Sequence, residues 1–389
     1  MTNKKKILFI LGVLDSGGVA KSLVSLLNAI DRQQNDVSLL LVSSHKGPFF
    51  ELLPKDVRII QSPLLSAVGS LSGIKYLVIH CHFLLALGTA LRLLVSRFSK
   101  AWSGYILSRL MPAIDGDYDL IVDYNGQHQT YYMVDKLHAS RKAAFFHSDY
   151  AKWPYYYSID KKYFPLLDAI FSISPYCVES LKKFFPGQKE HIKLMENISS
   201  LPIIEEMSKQ PVDFPKKAKW TFLTIGHLCN EKGTDIAIEA ARILREKNID
   251  FEWCFLGNTE TELSAYQSAI NSANVSHNLR FLGIKTNPYP YIRQADIIVH
   301  PSTFEGKSVA LDEAKLLCKP IVVTRFSTVN DQFSDGMNAS IVDMTPEAVA
   351  TGIEGLINDE TKRTRYAEWL SNNKHDNSSE VEKIYKLLE

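Results

Sequence analysis

The sequence predicts an α/β protein built from two doubly wound parallel sheets, and three observations carry that prediction. The chain has 389 residues, more than one ordinary core fills. Short apolar, β-branched runs alternate with helical stretches, the rhythm of a parallel sheet covered on both faces. That rhythm lapses at 199–219, among Pro202, Pro211 and Pro215, and then restarts, which marks a linker. A hydrophobic content of 46% with 22% charged residues is that of a soluble globular chain and excludes a disordered one.

In the first domain, 1–200, strands are expected at 7–12, 37–42, 57–60, 119–123, 143–146, 169–173 and 192–195. The basic start at Lys4-Lys5-Lys6 and the apolar run 7–14 resemble a signal peptide. The run meets Asp15 and Gly17-Gly18 instead of a cleavage site, so it reads as a buried first strand, and export is not expected. Gly17 and Gly18 stand between that strand and a helix at 18–30, where a backbone can approach a diphosphate closely; a tight turn without a ligand explains them equally well. The spacing is neither a P-loop nor GxGxxG. His147 follows strand 143–146 and so sits at a strand's carboxyl end, where open α/β sheets bind ligands; a structural histidine is the alternative. Asp115-Gly-Asp117 has the DxD form of a metal site but precedes a strand and reads as a turn.

Residues 76–111 break the alternation. The stretch 76–95 is mostly apolar yet carries His80, His82 and Arg92, and Arg97, Lys100 and Arg109 follow among aromatics. A spanning helix tolerates these poorly. Two readings stand: helices covering the sheet, or an amphipathic element on a bilayer. His80-Cys81-His82 is assigned no metal, because positions two apart diverge on a helix.

The second domain, 201–372, has expected strands at 220–225, 251–256, 279–282, 295–299 and 320–324. The tail, 373–389, is expected to carry a helix packing back on the first domain. In the loop 226–233 (Gly-His-Leu-Cys-Asn-Glu-Lys-Gly), Lys232 precedes a glycine at the mouth of a helix, placed for a phosphate or else an ordinary surface lysine. In 300–313, Glu305 lies in a strand-to-helix loop and Glu313 inside the helix that follows. Carboxylates complement a phosphate poorly but accept two hydrogen bonds from a sugar or ribose diol. The bland alternative makes Gly306 a turn residue and Glu313 an exposed helix residue.

With these residues in view, the chain resembles the retaining glycosyltransferases of GT-B fold, family 4, whose two Rossmann-like domains face each other across a cleft. The resemblance covers nearly the whole chain and is strongest at 224–324. It rests on the Glu-x7-Glu pattern of Glu305 and Glu313 within Pro301-Ser-Thr-Phe-Glu-Gly306 and Glu313-Ala-Lys-Leu-Leu-Cys-Lys-Pro-Ile-Val322, on Gly226-x-Leu-x-x-Glu-Lys-Gly233, on Gly17-Gly18 and on Phe146-His-Ser-Asp149. Asn287-Pro-Tyr-Pro-Tyr-Ile292 and Phe304-Glu-Gly-Lys-Ser308 look like members that build bacterial capsular, exopolysaccharide or cell-wall glycans. The resemblance implies a first domain for the acceptor and a second for the nucleotide-sugar donor. Glu305, His147 and Lys232 become the catalytic candidates, Glu305 holding donor-sugar hydroxyls and His147 touching the sugar. Glu313 is implied to bind ribose. Lys232, His227, Gly17, Gly18, Gly306 and the backbone of Lys307, Ser308 and Val309 are implied to line the donor diphosphate. No metal or cofactor is expected beyond a UDP-sugar or other nucleoside-diphosphate sugar as co-substrate. The family commonly has Arg where this chain has His227, a single N–H donor against five, so either a protonated His227 or a second cation such as Lys307 must serve.

The expected function is transfer of a hexose to a glycan or lipid-linked acceptor. The rival readings are a non-catalytic GT-B scaffold that binds a nucleotide sugar, and a sugar-nucleotide epimerase. Five cysteines without paired spacing suit a reducing cytoplasm. Residues 1–200 hold 23 Lys and Arg against 16 Asp and Glu, and the remainder 21 against 27. The basic excess is too diffuse for nucleic acid and suits peripheral contact with anionic lipid on the inner face of the cell membrane.

Overall fold

The computed structural model describes residues 4–15, 17–212 and 215–389. They form two compact units, 1–198 with 379–389, and 199–378. The sheet of the first unit has seven parallel strands in the order β3-β2-β1-β4-β5-β6-β7: β1 (Lys5–Leu11), β2 (Asn35–Leu41), β3 (Arg58–Gln61), β4 (Asp117–Asp123), β5 (His138–Phe146), β6 (Ala169–Ser172) and β7 (Ile192–Leu194). Alternation along β1 sends Ile7, Phe9 and Leu11 to one core and Leu8 and Ile10 to another, so both faces are covered.

The second unit has six parallel strands in the order β10-β9-β8-β11-β12-β13: β8 (Trp220–Ile225), β9 (Phe251–Leu256), β10 (Leu279–Phe281), β11 (Ile297–His300), β12 (Ile321–Thr324) and β13 (Ser340–Val342). Behind its central strands the Trp253 indole donates to Thr224 Oγ1 at 2.9 Å, and the Thr224 hydroxyl donates to the Val299 carbonyl at 2.7 Å. These bonds tie β9, β8 and β11 together where their carboxyl ends carry loops.

Two departures from the sequence reading, at the linker and at the tail, have local causes, and the run 76–95 meets the reading of helices covering the sheet. The region expected as unstructured linker holds a helix, Leu201–Met207, with Pro202 in its first turn and Ile204 in the second unit's core. The apolar run 76–95 is broken in two by Cys81 at φ +61°, between helices Leu71–Ile79 and Phe83–Val95. Their inner residues Leu77 and Ala86 pack with Leu8, Ile10 and Leu40 of the sheet. At the tail, only Glu382–Tyr385 is α-helical, yet Val381, Ile384 and Leu387 enter the first unit's core and the Asp31 N–H donates to the Tyr385 hydroxyl at 2.7 Å.

Candidate functional site

Because β8 and β11 are neighbours, the loops leaving their carboxyl ends meet. The Thr303 N–H donates to the Glu231 carbonyl at 2.8 Å. Gly233 makes the approach feasible: it lies at φ +66°, and a Cβ there would stand 2.0 Å from the Pro301 carbonyl oxygen. The Lys232 methylenes pass over Gly226, and Nζ reaches Glu305 Oε1 at 2.6 Å. Two more donors converge on the same oxygen, His300 Nε2 at 2.8 Å and Ser302 Oγ at 2.9 Å. Oε2 takes none of the three. The loop is fixed from below by Thr328, whose hydroxyl donates to the Glu305 carbonyl at 3.0 Å, and by Thr324, which reaches the carbonyls of His300 and Ser302.

Burial alone would raise the Glu305 carboxyl, but the Lys232 ammonium, and after it His300, outweigh burial and hold it down at about 2. An ionised Glu305 requires the facing His300 Nε2 to carry a proton. The site thus contains a buried carboxylate with Lys232, His300 and Ser302 all gathered on one of its two oxygens.

Glu313 is 2% exposed inside the helix Val309–Leu316, and the Tyr289 hydroxyl donates to its Oε1 at 3.1 Å. The exposed-residue reading of Glu313 is therefore overturned. Burial, then the Glu313 carboxylate, pushes the Tyr289 hydroxyl well above its ordinary range. Gly306 is buried between Glu305 and Lys307. The Ser308 N–H is taken by the Gln332 side-chain oxygen at 3.0 Å, and Ser308 Oγ caps the helix at Leu311 N. The N–H groups of Val309 and Ala310, first in the helix, have no intrahelical acceptor. Neither expected substitute for an arginine stands isolated. His227 Nδ1 lies 2.9 Å from Glu262 Oε1, itself part of a capping box with Thr259, and Lys307 Nζ lies 3.5 Å from Asp312.

In the first unit, Gly17 has φ −174° and a Cβ there would meet nothing within 4 Å. Neither turn geometry nor packing requires glycine at 17, which removes the tight-turn explanation there. Gly18 opens the helix Gly18–Ala29. His147 follows β5, is partly buried, and stacks on Phe145 with ring centroids 5.4 Å apart. Its Nε2 lies 3.0 Å from the Tyr124 carbonyl, so that nitrogen carries the proton and Nδ1 is the acceptor. Burial, partly offset by that carbonyl, lowers its pKa to about 4. Beside it, at the end of β4, buried Asp123 accepts from Thr130 Oγ1 and from the Asn125 and Gly126 N–H groups; burial prevails over these bonds and raises its carboxyl to about 6.

Sequence reasoning assigned no role to His300, Ser302, Tyr289, Gln332 or Glu262. His300 ends β11 as His147 follows β5, so the strand-end rule applied evenly finds it. Tyr289, Gln332 and Glu262 reach their partners from distant segments and left no local signal. Asp115 and Gly116, the latter at φ +137°, lead into β4, which begins at Asp117. Among the described residues no group of three or more His, Cys, Asp or Glu is placed to hold a metal ion.

A two-unit α/β protein with parallel sheets and a strand-end carboxylate clamp has the GT-B architecture. Over its whole length the chain is similar to Anabaena Alr3699/HepE, solved with UDP and glucose, at 15% identity and a TM-score of 0.71 over 99% of both chains. It is also similar to WaaG, a glycosyltransferase involved in lipopolysaccharide biosynthesis, at 15% identity and a TM-score of 0.64 over 98% of this chain and 99% of that one. Residues 206–371 match the profile described as "Glycosyl transferases group 1". The capsular polysaccharide biosynthesis glycosyltransferase CapH of Staphylococcus aureus is 25% identical over 178 residues, 44% of this chain and 48% of that protein. An uncharacterized glycosyltransferase of Methanocaldococcus jannaschii, MJ1059, is 25% identical over 152 residues, 38% of this chain and 37% of that protein. The chain thus spans less than half the length of either relative.

Proposed function

We propose that the chain transfers a hexose from a nucleoside-diphosphate sugar to a glycan or lipid-linked acceptor, with retained anomeric configuration, in bacterial surface-polysaccharide or cell-wall glycan synthesis. The observation that carries this reading is the ionised, buried Glu305 with its donors gathered on Oε1. Oε2 then accepts from donor-sugar hydroxyls and positions the anomeric carbon. Lys232 holds Glu305 with one proton and has two others to offer a diphosphate oxygen. The Val309 and Ala310 N–H groups add neutral donors at a helix N-terminus, while Ser308 N–H, already bonded to Gln332, does not. Glu313, steadied by Tyr289, accepts from ribose hydroxyls. In the first unit, Gly17, Gly18 and His147 are assigned to ligand contact at that unit's own strand ends.

In the reaction the bond from the anomeric carbon to the diphosphate oxygen breaks, and a bond to the acceptor oxygen forms on the same face. The acceptor's proton passes to the departing phosphate oxygen, and no protein nucleophile takes part. The chain's contribution is electrostatic stabilisation of the leaving diphosphate, with Glu305 holding the sugar in place. A non-catalytic nucleotide-sugar-binding scaffold is a second reading, favoured by one observation: His227 and Lys307 each face a carboxylate. Incubation with UDP-, GDP- and TDP-sugars and a cell-envelope lipid extract separates the readings. Free nucleotide with glycosylated lipid supports the transferase; donor binding without either product supports the scaffold. An altered nucleotide sugar released without an acceptor would mark an epimerase.

A further inference from the structure

The helices between β3 and β4 turn an apolar face outward. In the helix Phe83–Val95 the buried positions are Ala86 and Thr89, whereas Leu84, Leu87, Leu91 and Leu94 form an exposed stripe at three- and four-residue spacing. A surface helix facing water has the reverse arrangement. Leu84 is 85% exposed, and the stripe continues through Val78 and Ile79 before it and Phe98 and Trp102 after it. A patch of this kind calls for a cover.

Charge indicates which cover fits. From 57 to 114 the sequence holds no Asp or Glu but six Lys and Arg. Two of the six are engaged elsewhere: Arg92 donates to the Gly69 carbonyl at 2.8 Å, and Arg109 lies 3.4 Å from Asp135. Lys75 and Arg97 are exposed, and Lys100 is exposed with its ammonium 5.2 Å from the Tyr155 ring. Lys162 stands 5.9 Å from the Trp102 ring, and Tyr155 and Tyr157 are exposed nearby in sequence. Aliphatic residues with a rim of Trp, Tyr and Lys suit the boundary between acyl chains and headgroups. A second copy in a two-fold dimer would bring the same cations against these. The helix spans about 20 Å, short of a hydrocarbon core of about 30 Å, and among the described residues no helix is long and apolar enough to cross a membrane.

We propose that this face docks the chain on a bilayer bearing anionic lipid, with the helix Phe83–Val95 lying in the interface plane and Leu84, Leu87, Leu91 and Phe98 among the acyl chains. The proposal stands apart from the transfer reaction. Its test is co-sedimentation of the full chain with phosphatidylcholine vesicles, with and without phosphatidylglycerol, alongside size-exclusion chromatography. Binding is expected on the anionic vesicles and should weaken with salt. Lys75→Gln and Arg97→Gln should each lower affinity about fivefold. Leu84→Gln/Leu87→Gln/Leu91→Gln should abolish binding while leaving the circular dichroism spectrum unchanged, because these side chains lie outside the core. A chain that stays in the supernatant at low salt would overturn the proposal. So would a solution dimer that the triple variant dissociates, which would make the cover a second copy.

Discussion

Three donors on one oxygen of Glu305 give the second unit a pH signature. Glu305 is held at about 2, below its ordinary 4.5, so its contribution to stability is complete above pH 4.5 and is lost as pH falls toward 2. Urea midpoints for the second unit should fall across that window, and Glu305→Gln should remove the slope. Asp123 has the opposite sign. Raised from 3.8 to about 6, it contributes stability in full below pH 3.8 and loses it as pH rises through 6. Asp123→Asn, a neutral isostere, should abolish that decline in the first unit. In catalysis, Glu305→Gln should cut kcat by about a hundredfold or more, with the fold retained by circular dichroism. Undiminished turnover would remove Glu305 from the mechanism.

At the scale of elements, the clamp depends on a contact between two loops. Gly233→Ala would place a methyl group against the Pro301 carbonyl at a left-handed backbone position. The variant should lose about 1–3 kcal/mol of second-unit stability and bind donor more weakly, since Lys232 is carried on the displaced loop. Chemical unfolding and donor titration check the two effects separately. A variant as stable as the parent would show that the Gly233 contact does not fix the loop. Strand positions near the site were legible in the sequence because apolar runs such as 220–225 and 251–256 are buried on both faces. The short edge strand Ser340–Val342 and the helix Leu201–Met207 were not, because the strand offers only the apolar pair Ile341-Val342 and a proline-containing stretch reads as a break. Glu305 and Lys232 were legible as a strand-end loop residue and a helix-mouth residue, and Glu313 as a residue inside the helix that follows. The Tyr289 and Gln332 partners were not, because they depend on contacts between distant segments.

At the scale of the molecule, the chain leaves the first unit at Ile198 and takes it up again at Ser379. Ending the chain after Ser378 would remove Val381, Ile384 and Leu387 from the first unit's core. Unfolding of that unit should then occur with a loss of more than about 3 kcal/mol, while the second unit is unchanged. Each unit's stability is thereby open to separate measurement, and so is the proposed donor site. The most direct test of that site compares a nucleoside-diphosphate sugar with its bare nucleoside diphosphate by calorimetry, in the parent and in Glu305→Gln. The sugar should tighten binding to the parent and add nothing in the variant, whose unpaired Lys232 should bind the bare diphosphate as well or better. An equal gain from the sugar in both proteins would contradict the assignment of Glu305 to the donor sugar.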